Sequence, residues 1–237
     1  MRAAAHRAAH QVIERGRVFA DPLALAVLGA TPEAVFGDEI DRPATRGMRL
    51  LIAARSRFAE EGLAAAVARG VRQYVLLGAG LDTFAHRNPF AAAGLRVFEV
   101  DHPATQAWKR DRLAAAGLAP PASLAFAPTD FERQTLADGL AAAGFDFGRP
   151  AVFAWLGVVI YLTRAAVLET LGVIGELPAG TEVIFDYGVP LSASSPRERA
   201  AHARREARLA ARGEPWITRF TPAEIGVELT RLGFDEL

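Results

Sequence analysis

The chain contains no cysteine. Disulfides, thiolate zinc sites and cysteine nucleophiles are therefore excluded. It contains a single lysine, Lys109, and otherwise relies on arginine for fixed positive charge. Net charge is also lacking: Lys+Arg and Asp+Glu both number 27, so the formal balance is zero. Nucleic acid or an anionic membrane as the main partner would favour a basic surplus, and there is none. Long hydrophobic runs are missing too. Charges or glycines interrupt each one well before the length of a membrane span. Met1-Arg2-Ala3-Ala4-Ala5-His6-Arg7 is not followed by the apolar core of a signal peptide. The expectation is a cytoplasmic protein without nucleic-acid or membrane partners. Its oligomeric state is not written in the sequence.

What is present is enough apolar material for a large core. The chain has 237 residues, 51% of them hydrophobic. That length and composition suit one large α/β domain with a smaller appendage. Residues 3–69 read as mainly helical. An alanine-rich helix carries Arg7 and His10. Asp21-Pro22 has the form of an N-cap followed by proline, leading into Leu23–Leu28. A loop from Thr31 to Pro43 precedes a long helix over about Met48–Arg69. We expect 1–69 to form a helical cap and 70–237 the main domain, with a helical insertion at about 190–220.

From Val71 the pattern changes to apolar runs of strand length separated by helix-length stretches. The expected strands are Tyr74–Leu77, Arg96–Val100, Leu124–Ala127, Ala151–Leu156 and Glu182–Phe185. Helices are expected near 103–116, 132–143 and 164–176. Continuous apolar strands separated by helices imply a parallel sheet covered on both faces, hence a doubly wound α/β fold. Thr221-Pro222-Ala223-Glu224 marks the start of a last helix. Little chain remains for the further strands that would close such a sheet, so C-terminal strands are expected to be missing.

The chemistry-bearing motif lies at the end of the first strand, in Leu76-Leu77-Gly78-Ala79-Gly80-Leu81-Asp82-Thr83. A Gly-x-Gly turn lets a ligand approach the backbone, because no Cβ intervenes. The third glycine of a dinucleotide fingerprint would fall at Thr83, which weakens a pyrophosphate ligand and leaves room for an adenosyl group. Asp101 ends the second strand, where a carboxylate can accept both ribose hydroxyls or cap the helix that follows. Glu99 is read as facing the other side of that strand or joining a surface pair. Asp130 ends the third strand, where it can meet an adenine amino group with Phe131 against the ring, or cap a helix. Arg55 and Arg57 on the long helix offer a guanidinium fork for a carboxylate, but their spacing prevents both from facing one way. The five histidines show no metal-ligand spacing, and His10 reads as a surface residue. Ser192, Ser194 and Ser195 lack a nucleophile elbow.

These elements together resemble the leucine carboxyl methyltransferase-like family of class I S-adenosylmethionine-dependent methyltransferases, in its bacterial small-molecule branch. The resemblance runs through His6-Arg7-Ala8-Ala9-His10, Asp21-Pro22-Leu23-Ala24 and Ala54-Arg55-Ser56-Arg57-Phe58-Ala59-Glu60-Glu61. It is densest in Arg72-Gln73-Tyr74-Val75-Leu76-Leu77-Gly78-Ala79-Gly80-Leu81-Asp82-Thr83. It continues through Val97–Pro103 with Lys109, and Gly157 to Leu162. It implies a Rossmann-like methyltransferase sheet and S-adenosylmethionine as cofactor, held by Arg55, Gly78, Gly80, Asp101, Asp130 and Phe131. It implies O-methylation of a small-molecule carboxylate or hydroxyl. Where the family carries a glutamate before its fourth-strand tyrosine, this chain has Leu156. No general base stands out; Tyr161, His86 and Asp82 are candidates by position alone. A catalytically degenerate S-adenosylmethionine-binding member and an NAD-type oxidoreductase are the alternative readings.

Overall fold

The computed structural model describes residues 2–37, 40, 42–130, 133–190, 195–196, 199–200, 203, 207 and 215–235. The chain forms two compact units. One comprises Met1–Leu156 with Pro178–Ile184, and the other Gly157–Leu177 with Phe185–Leu237.

The first unit is built on a parallel sheet. Its strands are β1 (Gln73–Leu77), β2 (Arg96–Asp101), β3 (Leu124–Pro128), β4 (Val152–Trp155) and β5 (Glu182–Phe185). They lie in the order β3-β2-β1-β4-β5. β1 pairs in parallel with β2 (Val75 opposite Phe98) and with β4 (Val75 opposite Phe153). The chain order therefore reverses between β1 and β4, the switch point at which open α/β sheets bind ligands. Every residue of β1 is buried, as a central strand covered on both faces requires.

Period-two alternation sends the strand side chains into two cores. Tyr74, Leu76, Val97, Val152 and Ala154 pack with Leu63, Ala66 and Val67. Those three belong to a long helix, Pro43–Ala68. The other face carries Phe98 and Phe153, which meet the ring of Phe145 at 5.3 and 6.1 Å. The expected boundaries hold to within a few residues in the sheet region. Helices follow β2 at Pro103–Ala115 and β3 at Leu136–Ala142, and a short one, Phe84–Arg87, follows β1.

In chain order the helices are α1 (Arg2–Ile13), α2 (Ala24–Leu28), α3 (Pro32–Phe36), α4 (Pro43–Ala68), α5 (Phe84–Arg87), α6 (Pro103–Ala115), α7 (Leu136–Ala142), α8 (Arg164–Gly175) and α9 (Pro222–Arg231). α1 carries alanines on every turn, so neighbouring backbones approach closely. Ala4, Ala5, Ala8 and Ala9 pack with Val27 and Leu28 of α2 and Phe36 of α3.

Three details differ from the sequence expectation. The Thr31–Pro43 segment contains α3, because Thr31 caps the N–H of Ala34 and Pro32 pre-sets the first helical φ. α4 begins at Pro43 rather than Met48 for the same reason: proline suits a first turn. Asp21 is not the N-cap of α2, which starts three residues later with Leu23 as its N-cap; the Asp21 carboxylate is fully buried and serves an ionic cluster described below. α1 ends in a turn that puts Arg15 at φ +55°, the only positive value for a non-glycine among the described residues. Holding an arginine there costs about 1 kcal/mol.

In the second unit, Thr163 caps α8 and Thr221 forms a capping box with Glu224 at α9, as its sequence indicates. Arg164 of α8 bonds Glu228 of α9 at 3.0 Å and lies 4.7 Å from the Phe220 ring. A bridge joins Gly188 to Arg219, with the Phe220 N–H bonded to the Gly188 carbonyl. Most of the insertion expected at about 190–220 lies outside the described residues. No described helix is long and apolar enough to cross a membrane.

Candidate functional site

The site begins where β1 runs out. Gly78 and Gly80 take φ +67° and +47°. A side chain would strain both positions, so the turn needs glycine for its backbone as well as for clearance. The N–H groups of Gly78 and Ala79 bond the carbonyl of Val100 at 2.8 and 3.2 Å, which hooks the turn over the end of β2. A Cβ built on Gly80 would find only the Gly78 carbonyl oxygen within 4 Å, at 3.9 Å. The space beside the turn is therefore open.

Asp101 closes β2 directly beside this turn. Its Oδ2 accepts the Gly80 N–H at 2.7 Å and its Oδ1 the His102 N–H at 2.7 Å. A carboxylate has about four acceptor positions, so each oxygen keeps one for a ligand hydroxyl. The cap of α6 is the His102 side chain, which accepts from the Ala104 N–H. Asp101 is thus relieved of that structural task. β3 adds the next tip: the Thr129 N–H bonds the Asp101 carbonyl at 2.9 Å, and Asp130 follows, partly exposed. Phe131 lies outside the described residues. Gly78, Gly80, Asp101 and Asp130 thus line up along the carboxyl ends of three neighbouring strands.

Arg55 is half-buried on α4. Arg57 is exposed and bonds Glu61 one turn on at 2.7 Å. The two arginines thus divide as their spacing demands. Leu156 packs against the core below the sheet ends. Tyr161 belongs to the second unit, in the helical turn Val159–Tyr161, and is exposed.

The segment leaving the glycine turn is held by a buried ionic cluster that sequence reading did not foresee. Arg7 of α1 reaches Asp21 at 2.7 Å and Asp82 at 3.4 Å, and donates to the Leu81 carbonyl. The Thr83 hydroxyl donates to Asp21 at 2.6 Å. Arg87 donates to Thr83 at 2.9 Å and grips both oxygens of Glu60 on α4. Arg87 also lies 5.0 Å from the Phe19 ring. One cluster therefore ties α1, α4 and the Asp21 turn to the loop after Gly80. A signal was present: Arg7 is a charge set among the alanines of α1's buried stripe.

The candidate bases separate by environment. Asp82 bonds the Phe84 N–H at 2.7 Å. Burial works against its ionised form, but Arg7, Arg87 and Lys109 outweigh that and hold its pKa below the usual range. It is a poor proton acceptor. His86 has both ring nitrogens buried without a hydrogen-bond partner. Burial, and then the charge of Lys109, lower its pKa and keep the imidazole neutral at pH 7.

Two other expectations are corrected. His10 is fully buried, not on the surface, because α1 is covered along most of its length. Its Nε2 accepts the N–H groups of Val18 and Phe19 and its Nδ1 faces Glu14 at 3.1 Å, so it is a structural plug. Glu99 joins no surface pair. It is completely buried and bonds Lys109 of α6 at 2.6 Å, with Lys109 itself 1% exposed. The single lysine is spent on this contact. Among the described residues, no cluster of potential ligands could hold a metal ion.

A glycine turn and an acid at adjacent strand tips, on a sheet of this order, define a Rossmann-like fold with a nucleotide-type site. A model of leucine carboxyl methyltransferases matches residues 1–175. The Bacillus subtilis (strain 168) protein YktD is 40% identical over 177 residues, 73% of this chain and 57% of that protein. A Mycobacterium tuberculosis (strain H37Rv) protein, Rv3787c, is 35% identical over 187 residues, 75% of this chain and 59% of its own. Both are provisionally named as S-adenosyl-L-methionine-dependent methyltransferases. The chain belongs to the leucine carboxyl methyltransferase family. It spans less than two thirds of the length of these relatives. Among solved structures, a DUF574 family protein of Streptomyces avermitilis matches with TM-score 0.55 and 21% identity, over 94% of this chain and 80% of its own. A Thermobifida fusca protein matches with TM-score 0.55 and 23% identity, over 86% and 76%. Both share the fold.

Proposed function

We propose that this chain binds S-adenosylmethionine at the Gly78–Gly80 turn and methylates an oxygen of a small-molecule carboxylate or hydroxyl. The observation that carries the reading is the bond from the Gly80 N–H to Asp101 at the switch point of the sheet. The residues fit the cofactor. The turn offers side-chain-free backbone, Asp101 has one acceptor position free on each oxygen for ribose hydroxyls, and Asp130 stands at the next tip. Arg55, together with Phe131, completes the expected set, with its guanidinium suited to the methionine carboxylate.

When bound, S-adenosylmethionine supplies the electrophilic methyl group. The protein's share is to bind, orient and exclude water. The Arg7 and Arg87 cluster fixes the loop after the turn, so the binding groups are preorganised. A carboxylate acceptor is already ionised at neutral pH and needs no base, whereas a hydroxyl does. Asp82 is committed to Arg7 and Phe84, and His86, a neutral imidazole with one basic nitrogen, has its basicity lowered by burial and Lys109. Carboxyl methylation is therefore the simpler chemistry for this set of residues.

Methyl transfer from labelled S-adenosylmethionine to a panel of small carboxylic acids and phenols tests the proposal. Transfer to carboxylates with a rate flat above pH 6 supports it in its simpler form. Cofactor binding with no transfer to any acceptor favours the degenerate reading, for which Leu156 in place of an acid is the supporting observation. Binding of NAD in preference to S-adenosylmethionine would overturn it.

A further inference from the structure

A charged cavity that this reading does not use lies where α1 ends and α4 begins. A cavity of about 540 Å³ is lined, among the described residues, by Ile13, Glu14, Arg15, Arg17, Arg46 and Arg49. That volume lies in the range of small-molecule sites. Four arginines face one carboxylate. Glu14 is already committed: it takes three bonds from Arg49, at 2.7, 2.8 and 3.1 Å, and faces His10 at 3.1 Å. Burial opposes its ionisation, yet Arg49 and then His10 hold its pKa below the usual range, so it is charged at neutral pH. Arg49 is spent on Glu14 and on the Ile40 carbonyl at 2.7 Å. Arg15, Arg17 and Arg46 are exposed and make no side-chain hydrogen bond or ion pair among the described residues.

Two independent features add to this surplus. Arg46 lies in the opening turns of α4, a 26-residue helix with no acidic residue in its first turn and no side-chain cap. Among the described residues, no acidic side chain of that first turn offsets the positive end of the helix. Arg15 also occupies a left-handed backbone position that glycine would fill without strain, and an adjacent glycine, Gly16, already supplies the turn. Arg15 thus shares the rim of the cavity with Arg17 and Arg46, none of which makes a side-chain bond among the described residues.

We infer that this cavity is a binding site for a small polyanion, one carrying a phosphate group or clustered carboxylates. Guanidinium groups bind either chemistry through paired N–H donors. Arg15, Arg17 and Arg46 are the binding groups, and the Glu14–Arg49 pair is the rigid floor that holds α1 against α4. The site is separate from the groups assigned to S-adenosylmethionine.

Isothermal titration of the purified chain with inorganic pyrophosphate and, separately, with citrate tests the site. One saturable event per chain, weakened by added salt, is expected with at least one of them, and the tighter probe tells phosphate from carboxylate chemistry. Arg17→Gln and Arg46→Gln should each weaken it about tenfold, the loss expected for charge-assisted bonds. Arg15→Gly separates binding from architecture: it should raise the melting temperature by relieving the backbone while also weakening the anion. S-adenosylhomocysteine binding should be unchanged in all three variants. No saturable binding of either probe, or binding untouched by the three substitutions, overturns the assignment.

Discussion

Replacing the only lysine gives a sharp test of how the fold handles charge. Lys109→Met keeps most of the side-chain volume but leaves Glu99 without its partner in a fully buried position. Burial alone already raises the Glu99 pKa, with Lys109 pulling the other way. Once Lys109 is gone, the carboxyl escapes burial of a bare charge by taking up a proton. The cost of that proton sets the magnitude. From the ordinary value of 4.5 to pH 7 is 2.5 units, or about 3.4 kcal/mol at ~1.36 kcal/mol per unit. At pH 5 the same cost is under about 1 kcal/mol. The sign follows: a folded-state pKa raised above the unfolded one gives stability that is present below about pH 4.5 and lost as pH rises through the folded value. Lys109→Met should therefore lose about 3 kcal/mol relative to the parent at pH 7 and much less at pH 5, measured by urea unfolding. Adding Glu99→Gln should recover most of the pH 7 loss. Equal losses at both pH values, or a double variant that is simply additive, would refute the reasoning.

Arg7→Met removes an ion pair and a carbonyl bond from the loop after Gly80, and the ion pair that ties that loop to Asp21. It should cost about 2–4 kcal/mol by urea unfolding and also weaken S-adenosylhomocysteine in titration calorimetry; an unchanged affinity would show that the clamp does not position the turn. Gly80→Ala meets no close atom but strains a left-handed position. A stability loss of only about 1–2 kcal/mol, together with loss of cofactor binding, is the expected outcome, and retained binding would contradict the placement of the cofactor.

The sheet was legible in the sequence because its strands are short, continuous and apolar, and because Gly78-Ala79-Gly80 and Asp101 sit at its ends. Periodicity and turn chemistry carry that information locally. The helix start at Thr221 was legible for the same reason, since a cap is a local hydrogen bond. The ionic interior was not. Arg7, Asp21, Glu60 and the Thr83–Arg87 pair lie far apart in the chain and meet only in three dimensions, so no spacing announces them. Glu99 and His10 mislead because charged and polar residues belong by default on the surface. Glu99 is buried with one oxygen paired to Lys109 of the following helix, and His10 with two backbone N–H groups bonded to its Nε2. Asp21-Pro22 shows the same limit: its local form is a cap, and its tertiary use is to anchor Arg7.

In the proposed function, Asp101 and the glycine turn hold the ribose side of S-adenosylmethionine. Titration calorimetry of S-adenosylhomocysteine against the parent and Asp101→Ala tests this most directly. The parent should bind one equivalent. The variant should stay folded and bind about 100-fold more weakly, as the loss of two charge-assisted bonds predicts. A parent that binds no S-adenosylhomocysteine, or a variant that binds it equally well, would contradict the claim.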